Sequence, residues 1–224
     1  MAFGSTPTDS STIPIGCVYV PGVGFKAIQG GTLFTDGSSN DSAPVRMELT
    51  GGSKATFSAG ITGLVPVTAA TDIFTITGSA TKLVKVTRLA ITGTATLATA
   101  AILPIAILKR SSADLTGTSS SPTRVAHDSG NAAVSATVLA YTANPGTLGT
   151  LVGAIRNIRA FLQFTPITAT EFPMMPPLYI EDFGMRGSQP IVLRGTGDVL
   201  AVNLNAVATI TGWLFDISVE WTEE

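Results

Sequence analysis

The sequence carries little charge. Its 224 residues include 13 Lys and Arg and 15 Asp and Glu, so charged residues make up 12% of the chain and the net charge is −2. That share is about half of the roughly 25% usual in a globular domain. The hydrophobic share, 45%, is ordinary and can fill a core, which excludes a charge-rich disordered chain. Nucleic-acid binding depends on cations that neutralise phosphates. Because the cations of this sequence are few and scattered, we expect no nucleic-acid partner.

Cysteine and histidine occur once each, as Cys17 and His127. A single cysteine excludes a disulfide framework and a zinc site built from cysteines, and we interpret Cys17 as a small buried side chain. So few titratable groups are hard to assemble into an active site. We therefore expect a structural or binding protein, not an enzyme, and predict no cofactor and no metal site.

Long apolar runs are also missing. The longest, residues 98–108, is interrupted by Thr99 and Pro104 and falls short of the roughly 18 residues of a membrane span. The first twelve residues, MAFGSTPTDSST, lack the cationic start and the apolar stretch of a secretory signal. We expect a protein made in a cytoplasm, without a membrane partner, whose weakly charged surface is covered by other proteins.

Changes in composition divide the chain into three parts. Residues 1–12 are small and polar, which is typical of an extended N-terminal arm. Residues 13–70 carry short apolar pieces between Gly and Pro turns and predict a small β-rich segment. Residues 71–224 have the strongest strand pattern and predict a β-sandwich domain.

Alternation of apolar and polar residues predicts the strands of the last part. Residues 132–141 alternate, and residues 151–164 fit a strand or a helix. We favour a strand there, because the neighbouring elements are strands and no helix cap precedes it. The clearest strand carries five large apolar residues at period two: Trp213, Phe215, Ile217, Val219 and Trp221.

Two pairs of strands are separated by short turns and predict antiparallel hairpins. The first pair is 72–77 with 83–93, and the second is 190–193 with 199–204. Residues 102–108 are apolar on both faces, so the strand should be covered on both sides, and Pro104 should place it at an edge or at a bulge. About seven or eight strands without a convincing helix predict an all-β fold, an antiparallel β-sandwich of the jelly-roll or immunoglobulin-like kind.

Motifs of known chemistry are incomplete. The run 127–129, His-Asp-Ser, has the residue types of a hydrolase triad, but adjacent side chains on an extended backbone point apart, and we interpret it as a turn. Residues 36–41, DGSSND, resemble a calcium loop without the Gly and Glu required at its sixth and twelfth positions. Gly22 and Gly24 begin a dinucleotide-type motif that no third glycine completes. We predict no catalytic, cofactor-binding or metal-binding residue.

Four further groups of residues are candidates for a functional role. Trp213 and Trp221 share one strand face and form either a sugar-stacking platform or part of the core, which we favour. Met174 and Met175 suit an adaptable contact surface or a satellite core. A basic group suits a polar sheet face or contacts to an acidic protein partner: Lys82, Lys85, Arg88, Lys109 and Arg110. An acidic group shows no recognisable spacing of a glycosidase carboxylate pair, although the members of such a pair meet in space and not in sequence. Its members are Asp72, Asp216, Glu220, Glu223 and Glu224.

Six segments between residues 72 and 224 resemble virion structural proteins of tailed bacteriophages. They are DIFTITGSATK, LVKVTRLAITGTAT, ILKRSSADLTGTSS, AYTANPGTLGTLVGAIR, IVLRGTGDVLAVNLN and FDISVEWTEE. All six are strand and turn motifs without a catalytic signature. The resemblance implies a β-sandwich that works as part of the virion, with no functional residues to carry over.

Two positions in a virion agree with this resemblance. The first is a capsid decoration (cement) protein that binds the major capsid protein or other virion proteins and stabilises the head lattice. The compact size, the polar arm and the lack of a fibrous repeat favour it. The alternative is a trimeric head-fibre, tail-fibre or collar protein with a carbohydrate- or receptor-binding role. In either position we expect a homo-oligomer, with a trimer favoured.

Overall fold

The computed structural model of the chain describes residues 17–20, 24–27, 54–66, 70–95, 101–162, 179–204 and 212–224. The chain divides into two units, Met1–Ser53 and Lys54–Glu224. In the first unit, β1 (Cys17–Val20) and β2 (Gly24–Ala27) form an antiparallel pair. The arm 1–12, Gly22, residues 36–41 and the Met174–Met175 pair lie outside the described residues.

The second unit is built from strands. A 3-10 turn, Met185–Gly187, is its only helical element among the described residues, and no helix in this part of the chain could cross a membrane. The strands are β3 (Ala55–Leu64), β4 (Asp72–Thr77), β5 (Val84–Ala95), β6 (Ala101–Arg110), β7 (Ser119–Ser120), β8 (Arg124–Ala126), β9 (Thr137–Tyr141), β10 (Leu151–Leu162), β11 (Tyr179–Asp182), β12 (Ile191–Leu193), β13 (Val199–Leu204) and β14 (Trp213–Glu223).

These strands form two antiparallel sheets. Sheet I has the order β10-β6-β13-β4-β9-β7, and sheet II has the order β11-β5-β14-β3-β8, with β12 also paired to β5. The prediction of an all-β chain with antiparallel sheets is confirmed. Residues 151–162 are a strand and not a helix, also as predicted.

One hydrophobic core lies between the sheets. The alternation of β14 is confirmed, because Trp213, Phe215, Ile217, Val219 and Trp221 are all buried in this core. Sheet I faces them with a second apolar set that includes Phe74, Ile105, Ile107, Leu200 and Val202. Burying each such side chain contributes about 1.5–3 kcal/mol, so this face of β14 supplies much of the energy that holds the sheets together.

Both predicted hairpins are wrong. β4 lies in sheet I and β5 in sheet II, and β12 and β13 are divided in the same way. The short turns after β4 and β12 are therefore corners at which the chain crosses between sheets. The corners contact each other, because the Gly78 N–H donates to the Asp198 carbonyl at 2.9 Å. A Cβ at Gly78 would lie 2.5 Å from the Gly195 carbonyl oxygen, so only glycine fits this crossing.

The strand that contains Pro104 is not an edge strand. β6 lies between β10 and β13, but its pairing with β13 ends at Ile105 opposite Leu204, one residue short of Pro104. The missing N–H group of Pro104 therefore leaves no hydrogen bond unformed with the described part of β13. Coverage on both faces is confirmed for Ala106 and Leu108, which form a small second cluster with Ala201, and is wrong for Ile102, which lies on the same face and is 63% exposed.

The boundary between the units differs from the sequence expectation of 70/71. β3 pairs with the C-terminal strand over almost its whole length, from Ala55 opposite Glu223 to Leu64 opposite Phe215. It therefore belongs to sheet II, and the boundary lies between Ser53 and Lys54.

Residues 111–150, between β6 and β10, run along both sheets. β9 extends sheet I beside β4, and β8 extends sheet II beside β3. Inward-facing Ala136, Val138 and Ala140 are buried, as the alternation of residues 132–141 predicts. This part of the chain is called the 111–150 segment below, because the charged groups of the fold hold it in place.

Candidate functional site

The two ends of the 111–150 segment lie side by side. The Ser111 N–H donates to the Thr150 carbonyl at 2.9 Å, and Leu115 and Thr147 exchange two backbone hydrogen bonds of 2.9 and 3.2 Å. The approach is so close that a Cβ at Gly149 would lie 1.8 Å from the Ser112 carbonyl oxygen. The polar stretch of residues 111–123 is thus fixed at its start by backbone hydrogen bonds.

A buried ion pair lies beneath these ends. Arg110 Nε and Nη2 donate hydrogen bonds to the two oxygens of the Asp72 carboxylate, with N···O distances of 2.6 and 2.8 Å. The Asn203 side-chain amide donates to the same carboxylate at 2.6 Å. The Arg110 Nη1 donates to the Gly149 carbonyl at 2.7 Å, so the same guanidinium holds the end of the segment. Both side chains of the ion pair are almost completely buried, and such two-pronged pairing satisfies their charge well.

A second carboxyl, Asp114, enters the same cluster. Its side chain is fully buried, its Oδ1 accepts the Gly149 N–H at 2.8 Å, and that oxygen lies 3.9 Å from the Arg110 Nε. Among the described residues its Oδ2 has no hydrogen-bond partner. Burial raises the pKa of Asp114 to about 6; the Gly149 N–H and the Arg110 charge oppose this rise, and the neighbouring Asp72 adds to it.

Tyr141 also faces this cluster. It is buried at the end of β9. Burial raises its pKa to about 12, with a smaller contribution from the Asp114 charge. The phenol is therefore neutral across the range in which Asp114 titrates, and Arg110 is the only cation near the two acids among the described residues.

Glu223 holds the middle of the 111–150 segment. Its side chain is fully buried, and its Oε1 accepts the Ala136 N–H at 2.9 Å and the Trp221 indole N–H at 3.1 Å. Ser135 donates its N–H at 2.9 Å to Oε1 and its hydroxyl at 2.7 Å to Oε2, and the Lys82 ammonium lies 3.0 Å from Oε2. β14 of sheet II is thereby connected to the chain that enters β9 of sheet I.

The electrostatics of Glu223 are opposite to those of Asp114. Burial by itself raises the pKa of Glu223, but the N–H of Ala136 and the donors of Ser135 and Trp221 outweigh it and lower the pKa to about 2. Glu223 is therefore a carboxylate at every physiological pH. The Glu223 oxygens are saturated by partners from the fold, which suits anchoring, whereas one oxygen of Asp114 has no partner among the described residues.

Most of the sequence candidates are separated in the structure. Residues 127–129 lie exposed in the 111–150 segment, where the Asp128 carboxylate accepts the Gly130 N–H at 2.9 Å and forms the predicted turn. Trp213 and Trp221 are buried in the core, as favoured from the sequence. Among the described residues, no group of three His, Cys, Asp or Glu could hold a metal ion.

The basic group does not form a patch. Its members are paired with separate acids: Lys82 with Glu223, Lys85 with Glu224, Arg88 with Asp182, Lys109 with Asp198 and Arg110 with Asp72. Of the five acids named from the sequence, Asp72, Glu223 and Glu224 are therefore used in ion pairs. Asp216 accepts the Gly63 N–H at 2.7 Å.

The sequence did not indicate Asp114, Asn203 or Tyr141. Asn203 and Tyr141 come near Asp72 only through the sheet order, which places β13 and β9 on either side of β4, and Asp114 is held there by the contact between the two ends of the 111–150 segment. One signal was present: an aspartate begins the mostly buried strand β4, and an arginine ends the mostly apolar strand β6. Charged residues on fully covered strands are almost always paired.

The exposed surface is rich in small and aliphatic side chains. A shallow groove of about 230 Å³ on the outer face of sheet II is lined by backbone and by small residues, among them Gly60, Ala90 and Ser218. Exposed aliphatic side chains include Ile102 on β6, Leu115 in a turn, and Leu151 and Val152 on the edge strand β10, the last at 61%.

One flank of the second unit is closed by a charged pair. β10 and β11 lie at the same flank of the two sheets, where the Arg156 guanidinium donates to both oxygens of Glu181. The Tyr179 hydroxyl donates to the same carboxylate, and burial with this hydrogen bond raises the pKa of Tyr179. β10 has two irregularities in its register with β6, near Val152 and Ile155, which make the edge a poor template for further strands.

Compared with family models, curated proteins and solved structures, the chain matches none of them.

Proposed function

We propose that the second unit is a jelly roll, on the basis of its strand order. In a jelly roll of eight strands, the first, eighth, third and sixth form one sheet and the second, seventh, fourth and fifth form the other. Sheet II contains β3-β14-β5-β11 and sheet I contains β4-β13-β6-β10 in that same order. The 111–150 segment then lies between the fourth and fifth strands, as an insertion. An immunoglobulin-like arrangement would divide the strands differently.

The proposed function is that of a non-enzymatic structural protein of a tailed-phage virion, a decoration protein that binds and stabilises the head lattice. Strand order carries this proposal, because double-sheet jelly rolls are a common scaffold of viral capsid domains. The resemblance of residues 72–224 to phage virion proteins supports the same class. A jelly roll also serves lectins and cupin enzymes, so the choice among these depends on the side chains.

The pairing of charged side chains within the fold supports the structural role. The buried acids and bases of the described residues are paired within the fold, as in Lys82 with Glu223 and Arg110 with Asp72, while aliphatic side chains such as Leu115 and Val152 are exposed. A surface of this kind is suited to burial against neighbouring proteins. Many weak contacts of one copy, repeated over a lattice, add up to stable attachment.

The competing classes lack their characteristic groups in this part of the chain. A cupin-type enzyme would hold metal ligands between its sheets, and the space between the described strands is filled by the apolar core. A sugar platform on Trp213 and Trp221 would need exposed rings, and both are buried. The fibre or collar alternative therefore needs a receptor site elsewhere.

Particle stability tests the proposal. Virions assembled with and without this protein should both form, and those without it should release their DNA at a lower temperature. Mass action predicts this, because the protein binds only the assembled head and so stabilises that state. Equal release temperatures would exclude the cement function. A label on the protein, located by electron microscopy, distinguishes head, collar and fibre, and the mass of the purified protein in solution tests the expected trimer.

The arm has its own test. Deletion of residues 1–12 should leave the second unit folded, since that unit begins at Lys54. Occupancy of the truncated protein on particles should fall if the arm anchors it. Full occupancy would show that the second unit alone carries the attachment.

A further inference from the structure

The root of the 111–150 segment, where its two ends meet beside Arg110, contains two carboxyl groups, Asp72 and Asp114, and one cation. Arg110 is a single cation, and its donors are already committed to Asp72 and to the Gly149 carbonyl. Asp114 Oδ1 accepts the Gly149 N–H, and its second buried oxygen, Oδ2, has no hydrogen-bond partner among the described residues. The titratable or charged side chains of the described residues that face it are Asp72 from β4, Arg110 from β6 and Tyr141 from β9.

An ionised Asp114 would be costly in this place. Two carboxylates against one guanidinium leave a net negative charge out of contact with water, and one buried oxygen of Asp114 without a donor. A proton on Asp114 removes both penalties. The charge of the three groups then adds to zero, and the carboxyl O–H becomes a donor beside the Asp72 carboxylate.

We propose that protonation of Asp114 latches the two ends of the 111–150 segment together, and that ionisation of Asp114 loosens them. The groups held by this latch are the Leu115–Thr147 pair and Gly149. Thr116, with a φ of 61°, is a strained residue in the same turn. Loosening the latch would release that strain and change the surface around the exposed Leu115.

The sign of the effect follows from the raised pKa. The folded protein binds the proton more tightly than the unfolded chain, whose aspartate titrates near 3.8. The stabilisation is therefore complete below about pH 4 and is lost as the pH rises through about 6. Glu223 does not share this behaviour, so the middle of the 111–150 segment remains anchored while its root loosens.

Hydrogen exchange of the full chain tests the latch. The N–H groups of Leu115, Thr147 and Gly149 are compared between pH 4.5 and 7.5 after correction for the intrinsic pH dependence of exchange. Protection in the wild-type protein should fall tenfold or more over this range. In Asp114→Asn, whose amide imitates the protonated acid, protection should be nearly independent of pH.

The matched control is Asp128→Asn. Asp128 lies exposed in the same segment and also accepts a backbone N–H, so its variant should keep the pH dependence of the wild type. Constant protection in the wild type, or an equal fall in Asp114→Asn, would overturn the proposal. If Asp114→Asn does not fold, the carboxyl carbon of Asp114 in the wild-type protein is titrated by NMR. A midpoint well above 4 supports the latch, and a midpoint at or below 4 rejects it.

Discussion

Replacement of Glu223 by glutamine should destabilise the second unit strongly, because this carboxylate joins the two sheets. Glutamine keeps the shape of the side chain but offers one acceptor oxygen in place of two. Its NH2 group would face donors, the Ser135 hydroxyl and N–H and the Lys82 ammonium, that now point at Oε2. The variant therefore loses acceptors and charge while its packing volume is unchanged.

The magnitude follows from the pKa. The hydrogen bonds lower the pKa of Glu223 from 4.5 to about 2, and each tenfold change in an ionisation constant corresponds to about 1.4 kcal/mol. The charged form is thus favoured by about 3 kcal/mol in the folded state. For a unit of this size, a loss of about 3 kcal/mol lowers the melting temperature by about 6–12 °C.

The pH dependence provides the decisive assay. A lowered pKa stabilises the fold fully above pH 4.5, and this stabilisation is lost as the pH falls toward 2. The free energy of unfolding, measured with urea at several pH values, should therefore fall with acid in the wild type and much less in Glu223→Gln. Glu220→Gln is the control, since Glu220 lies on the same strand with its side chain only partly buried.

Two results would refute this reasoning. One is a loss of less than about 1 kcal/mol at pH 7 in Glu223→Gln. The other is an acid-induced decrease in stability that is equally steep in the wild type and the variant. Either would mean that the contacts of Glu223 merely replace equivalent contacts with water.

Three further substitutions test other parts of the fold. Asp72→Asn should cost about 1.5–3 kcal/mol in urea unfolding, because Arg110 loses its two-pronged partner and keeps only Asp114, 3.9 Å from its Nε, as a counter-charge; a loss below 1 kcal/mol would contradict the buried ion pair. Gly149→Ala should destabilise because its Cβ would meet a backbone oxygen at 1.8 Å, whereas Gly153→Ala, with no atom within 4 Å, should change thermal stability little; equal melting temperatures would contradict the close approach. Arg156→Gln should cost at most about 1 kcal/mol, since that ion pair is half exposed, and a larger loss would show that the β10 flank contributes more to stability than its exposure suggests.

Local patterns predicted the faces of the strands well. The alternation in β14 placed Trp213, Phe215 and Trp221 on the buried side, because the period of a strand is a property of the backbone. The same patterns failed at pairing. A hairpin turn and a corner between sheets both require short polar turns with glycine, so β4 and β5 resembled a hairpin in sequence.

The anchoring groups could not be predicted for a related reason. Glu223 meets Ser135 and Ala136 across 88 and 87 positions of the chain, and Asp72 meets Asn203 across 131. Such contacts depend on the sheet order, which no short stretch of sequence contains. The position of β3 was missed in the same way, since only its pairing with the C-terminal strand shows that it belongs to sheet II.

The anchoring of the 111–150 segment makes it a site for displaying foreign peptides. The chain between its anchors turns at Gly130 and Asn131, where the surrounding side chains are mostly exposed. A peptide inserted there would leave the Asp114 and Glu223 contacts in place, and lengthening a loop adds only about 0.6 kcal/mol per doubling. If the protein covers a capsid in many copies, each particle would then carry a dense and regular array of the inserted sequence.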